Sequence, residues 1–225
     1  MSEHHEPLGS DIGALEALMC DLSQGARRRA VEQGAMLHDI AQPAREVFYI
    51  TKGQVRRYQL SPDGTRRLLD ILGPGDWFGA EALGGAQRYG CQAQAATDSV
   101  LCVVAAERIL ASLSSNPRAS VEIIRALARQ GSEARQEAGE LAFDDCRRRL
   151  LKAILKFSHS AAANATPDGV MLRMTHGQLA EAVGAARETV SLMLTQLREA
   201  NLVKTGRNRL MFSPEAILAV LNFDA

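Results

Sequence analysis

Four kinds of signal are missing from this 225-residue sequence, and each absence removes a class of function. No apolar run approaches the roughly 20 residues that span a bilayer, so no membrane partner is expected. The four cysteines, Cys20, Cys91, Cys102 and Cys146, form no CxxC pair. That argues against a zinc finger or a Cys-rich iron–sulfur site; reduced thiols are expected, with thiol redox sensing as the alternative. The opening "MSEHHEPLGSDIG" is polar and acidic, unlike a signal peptide, so a cytoplasmic protein is expected. The region rich in strand signals contains His38 but no HxH or HxxxE pattern. No metal site is therefore expected, and neither is a metal-dependent enzyme on a cupin-like barrel.

What is present is unevenly charged. Formal net charge is zero, yet residues 145 to 225 hold 11 Lys and Arg against 7 Asp and Glu, a surplus of +4. The remainder carries the matching −4. A basic C-terminal third beside an acidic remainder fits one part that meets a polyanion and one that does not.

Periodicity divides the chain further. Ile12, Leu15, Leu18, Met19 and Leu22 predict a helix over about 10 to 30. From 31 to 104, short apolar runs ("EVFYI", "QVRRYQL", "RRLLDIL", "SVLCVVA") alternate with turn signals at Lys52-Gly53, Pro62-Asp63-Gly64 and Gly73-Pro74-Gly75. That rhythm predicts a small β-barrel or sandwich. A long helix follows from Pro117 to about Leu141. Ile124, Leu127, Ala128, Gly131, Ala138 and Leu141 approximate a heptad seam, which suits a homodimer helix pair. Asp144-Asp145 offers an N-cap for a helix with Leu150, Leu151, Ile154, Leu155 and Phe157 on its apolar face. "AAANATPDG" reads as a flexible loop. The expected domains are 1–115, 116–143 and 144–225.

"MTHGQLAEAVGAARETVSLMLTQLREANLV" has the grammar of a helix-turn-helix. Thr175 and Gln178 have capping-box spacing, Gly184 permits the turn, and a second helix is expected from about Ala186 to Glu199. Its Val190, Leu194 and Leu197 form one stripe for the core. Arg187, Glu188, Ser191, Leu192 and Thr195 then face outward near the helix start, where side chains of a major-groove helix reach base edges. "NLVKTGRNRLMF" predicts a β-hairpin wing with its turn near Thr205–Asn208, placing Lys204, Arg207 and Arg209 toward phosphates.

These stretches together resemble the CRP/FNR family of bacterial transcription regulators over nearly the whole chain. "LAFDDCRRRLLKAI" is similar to the family's hinge and first DNA-binding helix. "REVFYITKGQVRRYQLSPDGTRRLLDILGPGDWFGAEAL" is similar to its cyclic-nucleotide-type β-roll, including Gly53, Gly75-Asp76 and Gly79. The resemblance implies an α+β chain: an N-terminal double-stranded β-helix or β-roll, a long dimerisation helix and a C-terminal winged helix-turn-helix. It implies a homodimer on a near-palindromic operator, with RNA polymerase as a partner. Arg187 and Glu188 are then base readers and Thr189, Thr175 and His176 backbone contacts. Leu192 stands where the family's recognition pattern has a final Arg.

The sensor input stays open. In the family's nucleotide site a "GE" pair and a later "RS" pair hold ribose and phosphate. Here Gly79 is followed by Ala80, with Glu81 one step on, and Arg88-Tyr89 stands near the second pair. Gly79, Glu81, Arg88 and Tyr89 are therefore the candidate effector residues. A cyclic nucleotide, another small effector, haem, a thiol event or no ligand all remain candidates. The lone His38 is expected at the surface or hydrogen-bonded.

Overall fold

A computed structural model describes residues 26–223. Eight strands build the N-terminal half: β1 (Arg27–Val31), β2 (Met36–His38), β3 (Glu46–Lys52), β4 (Val55–Leu60), β5 (Arg66–Leu72), β6 (Trp77–Phe78), β7 (Gln92–Ala95) and β8 (Ser99–Ala105). They form two antiparallel four-stranded sheets, ordered β1-β8-β3-β6 and β2-β7-β4-β5. The interleaved order is the roll that the family resemblance implies, where the strand and turn rhythm alone predicts a small barrel or sandwich. Each turn signal falls between strands, and Asp63 Oδ1 accepts from Thr65 N inside the "SPDGT" turn (3.1 Å). At Gly53 φ is +89°, and a Cβ there would lie 2.2 Å from Ser99 Oγ, so the turn admits only glycine. Strand β3 sits between β8 and β6, and Val47, Phe48, Tyr49 and Ile50 are all buried in the roll core.

The helix expected over 10 to 30 lies outside the described residues up to 25. Its last residues belong to β1, because Arg28–Val31 pair with β8. A helix the sequence reading passed over, α1 (Ala106–Ser114), closes the roll with Ile109 buried. Then α2 runs from Pro117 to Phe143, with Asn116 accepting from Ala119 N as the N-cap (3.2 Å). Its Ala119 and Ile123 pack on the roll, while Val121, Ile124 and Leu127 are exposed.

The C-terminal part comprises α3 (Cys146–Phe157), β9 (Ala163–Thr166), β10 (Gly169–Leu172), α4 (His176–Val183), α5 (Arg187–Glu199), β11 (Val203–Gly206), β12 (Arg209–Phe212) and α6 (Pro214–Phe223). Asp145 caps α3 through Arg148 N (2.7 Å). The "AAANATPDG" stretch is not a flexible loop. Ala163–Thr166 pairs with β10, completing a sheet ordered β11-β12-β10-β9. Helices and sheet share one core of Leu150, Ile154, Phe157, Leu172, Leu179, Leu194 and Leu210.

That core does not stop at the domain junction. Tyr58, Leu68 and Ile71 of the roll are buried in it. Polar contacts follow the same seam: Gln54 donates to the Ala161 carbonyl (2.6 Å), Arg67 to that of Ala182 (3.4 Å), and Lys156 to that of Leu69 (2.8 Å). Between α2 and α3, Asp144 pairs with Lys152 (2.6 Å) and Arg148 (3.3 Å).

Candidate nucleic-acid interface and sensor interior

Helix α4 is only eight residues long, too short to persist on its own propensity, so its start must be tied down. The capping box does this reciprocally. Gln178 N donates to Thr175 Oγ1 (3.1 Å), and Thr175 N donates to Gln178 Oε1 (2.8 Å). Gly184 ends the helix in the left-handed region at φ 66°. Helix α5 then starts at Arg187, with Ala186 as a cap that offers no side-chain bond. Val190, Leu194 and Leu197 are buried at 2% exposure or less, which fixes the rotation of α5 about its axis.

The opposite face is thereby held outward. Arg187, Glu188 and Thr189 are exposed, Ser191 and Thr195 are half-buried, and Leu192 is 61% exposed. Leu192 is therefore no part of the core. His176, the first residue of α4, is bonded through Nδ1 to Ser191 Oγ (2.9 Å), a link between the two helices that spacing alone does not reveal. In the wing, Lys204, Arg207 and Arg209 are exposed. The turn is tighter than expected: Thr205 and Gly206 belong to β11, and only Arg207 and Asn208 separate the strands, Asn208 taking φ 55°.

Among the candidate effector residues, Glu81 lies beside Tyr89-Gly90, while Arg88 turns to a backbone carbonyl. Gly79 adopts φ 89° before a short 3-10 turn, Ala80–Ala82, with no room for a side chain beside the Glu46 carbonyl. The Arg88 side chain is exposed and donates to the Ala41 carbonyl (2.5 Å). Tyr89 is buried, and its hydroxyl donates to the Glu46 carbonyl (2.8 Å). Its ring stacks on His38 with centroids 3.9 Å apart, and Phe48 and Phe78 lie 5.6 Å from the same imidazole. His38 is thus not at the surface. It is 1% exposed, and the Cys91 backbone is the polar group nearest to engaging its ring. Burial pushes its pKa down to about 4, against the opposing pull of Glu81.

An ion pair that the sequence reading missed crosses β4 and β5. Arg57 grips Asp70 with Nε at 3.0 Å and Nη2 at 2.5 Å. Cys91 and Cys102 are buried, and burial raises the Cys91 thiol to about 11, which disfavours the nucleophilic thiolate. These residues do not fit a cyclic nucleotide. The 3-10 turn carries Ala80, the nearby Arg88 is spent on a backbone carbonyl, and aromatic rings fill the space beside it. Among the described residues, no group of three or more His, Cys, Asp or Glu is placed to hold a metal. No helix among them is long and apolar enough to cross a membrane.

Comparison with known proteins agrees with this architecture at both ends. Residues 28–116 match the family model of the cyclic nucleotide-binding domain, and residues 148–217 that of the Crp-like helix-turn-helix domain. Transcriptional regulator LdrP of Thermus thermophilus is 30% identical over 166 residues, covering 74% of this chain and 82% of that protein. This chain belongs to the CRP/FNR family. The cyclic AMP receptor protein of Thermus thermophilus is 28% identical over 197 residues, 88% of each chain. A CRP-family transcriptional regulator of known structure from the same species superposes with a TM-score of 0.70 at 25% identity, covering 86% of this chain and 96% of its own. The c-di-GMP responsive global regulator CLP of Xanthomonas campestris shares the fold, with a TM-score of 0.76 at 22% identity over 88% of this chain and 99% of its own. These CRP/FNR relatives are transcription regulators with a helix-turn-helix DNA-binding domain.

Proposed function

We propose that this CRP/FNR chain is a sequence-specific DNA-binding transcription regulator, not an enzyme. It acts as a homodimer on a near-palindromic operator in the cytoplasm, under a signal received by its β-roll. The outward face of α5 carries this reading. Three buried aliphatic residues set the helix so that Arg187 and Glu188 project from its first turn. Arg187 suits guanine O6 and N7, and Glu188 suits cytosine N4. Thr189, Thr175, His176, Lys204 and Arg207 flank that face as backbone contacts. Leu192, on the same face, offers an apolar surface to a thymine methyl where a cation would take guanine or phosphate.

The exposed stripe of Val121, Ile124 and Leu127 on α2, continued by Ala128, Gly131 and Ala138, supports pairing with a second copy. RNA polymerase is the expected protein partner on the promoter. The mismatch between the roll interior and a cyclic nucleotide supports control by some other input.

Random-site selection tests the reading, with sites expected to show two-fold symmetry and half-sites about 10 base pairs apart. Leu192→Arg shifts the preference at one base pair of each half-site; identical selected sequences would remove the role of Leu192. Ile124→Asp gives a monomer by light scattering and loses operator affinity. An Ile124→Asp protein that stays dimeric would refute the α2 interface.

A further inference from the structure

We propose that the cleft between β4 of the roll and the wing binds a small polyphosphate anion, of nucleotide size and carrying two or more phosphate charges, and that this anion competes with DNA for the wing. Arg56 stands on the roll side of the cleft, and Arg173, Arg207 and Arg209 on the other. Thr175 and Gln178, at the start of α4, complete the polar lining. The cleft measures about 630 Å³, within the range of small-ligand sites.

Two observations set it apart. First, four permanently charged guanidinium groups share one cleft whose lining contains no Asp or Glu. Among the described residues no carboxylate pairs with any of them. Elsewhere along the seam Lys152 and Lys156 are matched by Asp144 and Glu137, while Arg67 and Arg149 are held by backbone carbonyls. Second, Arg56 Nε is buried and makes no hydrogen bond. Nε is shut off inside a half-buried side chain, so an anion in the cleft is met by the terminal amines of the Arg56 guanidinium. Guanidinium forks match phosphate oxygens two at a time, and arginines from both walls call for more than one phosphate. The positive end of α4 adds to the same field. Once filled, the cleft ties β4 to the wing and occupies Arg207, which the DNA-bound form needs for the backbone. The competition rests on the DNA-binding reading; the anion site does not.

The test is calorimetric titration of the full chain with inorganic tripolyphosphate at low salt, for wild type, Arg56→Gln, Arg56→Lys and Arg173→Gln. Wild type binds saturably, Arg56→Gln and Arg173→Gln bind at least tenfold more weakly, and Arg56→Lys falls between, all with melting temperatures near wild type. In fluorescence anisotropy with a selected operator, tripolyphosphate weakens wild-type DNA binding about tenfold and that of Arg56→Gln much less. Without the anion, Arg56→Gln binds DNA within twofold of wild type. The proposal is overturned if wild type shows no saturable binding, or if Arg56→Gln binds the anion as well as wild type. It is also overturned if Arg56→Gln loses as much DNA affinity as Arg207→Gln, which would make Arg56 part of the DNA surface. Tripolyphosphate binding that depends on Arg56 in a chain that ignores every DNA would leave the site standing and remove the regulator reading.

Discussion

Thr175 allows the stability of α4 and the proposed contact with DNA to be separated at one position. Its side chain accepts from Gln178 N at 3.1 Å, and its amide is satisfied by Gln178 in return. Thr175→Ala deletes the acceptor and strands one amide at the start of an eight-residue helix that packs in the core through Leu179 and Val183. Loss of a Ser, Thr or Asp cap costs about 1–2 kcal/mol. For a chain of this size that is a fall in melting temperature of roughly 2–8 °C. Thr175→Asp keeps an acceptor, and its charge suits a helix N-terminus, so its melting temperature should stay within about 2 °C of wild type. The same carboxylate faces the proposed phosphate path, and operator affinity should drop at least tenfold. Differential scanning calorimetry and gel shift read the two effects. An unchanged melting temperature in Thr175→Ala would refute the cap, and full DNA affinity in Thr175→Asp would refute the placement of α4 against the duplex.

Three further outcomes follow from the packing and the buried charges. Leu194→Ala, at 1% exposure, should lose about 2–5 kcal/mol in denaturant titration, whereas Leu192→Ala on the outer face should stay within about 0.5 kcal/mol. His38 stays neutral in the folded chain down to about pH 4 but takes a proton in the unfolded chain below about 6.5. The unfolded state therefore binds more protons between those values. Stability is complete above pH 6.5 and falls by about 3 kcal/mol toward pH 4; urea titrations should show His38→Phe lacking this loss. Asp70→Asn leaves Arg57 without its counter-ion in a half-buried site, and should cost about 3 kcal/mol by the same measurement.

Much of the architecture was legible because local signals agree with tertiary needs. "SPDGT" and the glycine turns punctuate the roll, and the Val190, Leu194 and Leu197 stripe leaves one orientation for α5. The misses have physical causes. Counting outward from the Ser61–Thr65 turn pairs Arg57 with Leu69; the irregularity between Arg57 and Tyr58 moves the partner to Asp70. The β9 strand, "ANAT", has neither alternation nor bulk, and its partner β10 supplies the order. Ala106–Ser114 begins on an alanine without a side-chain cap, so no start signal marked it. The direction of the Arg88 side chain was not legible either, because the Ala41 carbonyl that takes it sits in a turn 47 positions earlier. Arg56 and Arg173 lie 117 positions apart, and only the packing of the wing toward β4 unites them.

The central claim concerns what α5 reads, and random-site selection on wild type beside Arg187→Ala and Glu188→Ala tests it most directly. The account predicts a two-fold symmetric consensus for wild type, with each variant losing preference at a single symmetric base pair. Enrichment of no sequence, or an identical consensus in all three proteins, would contradict it.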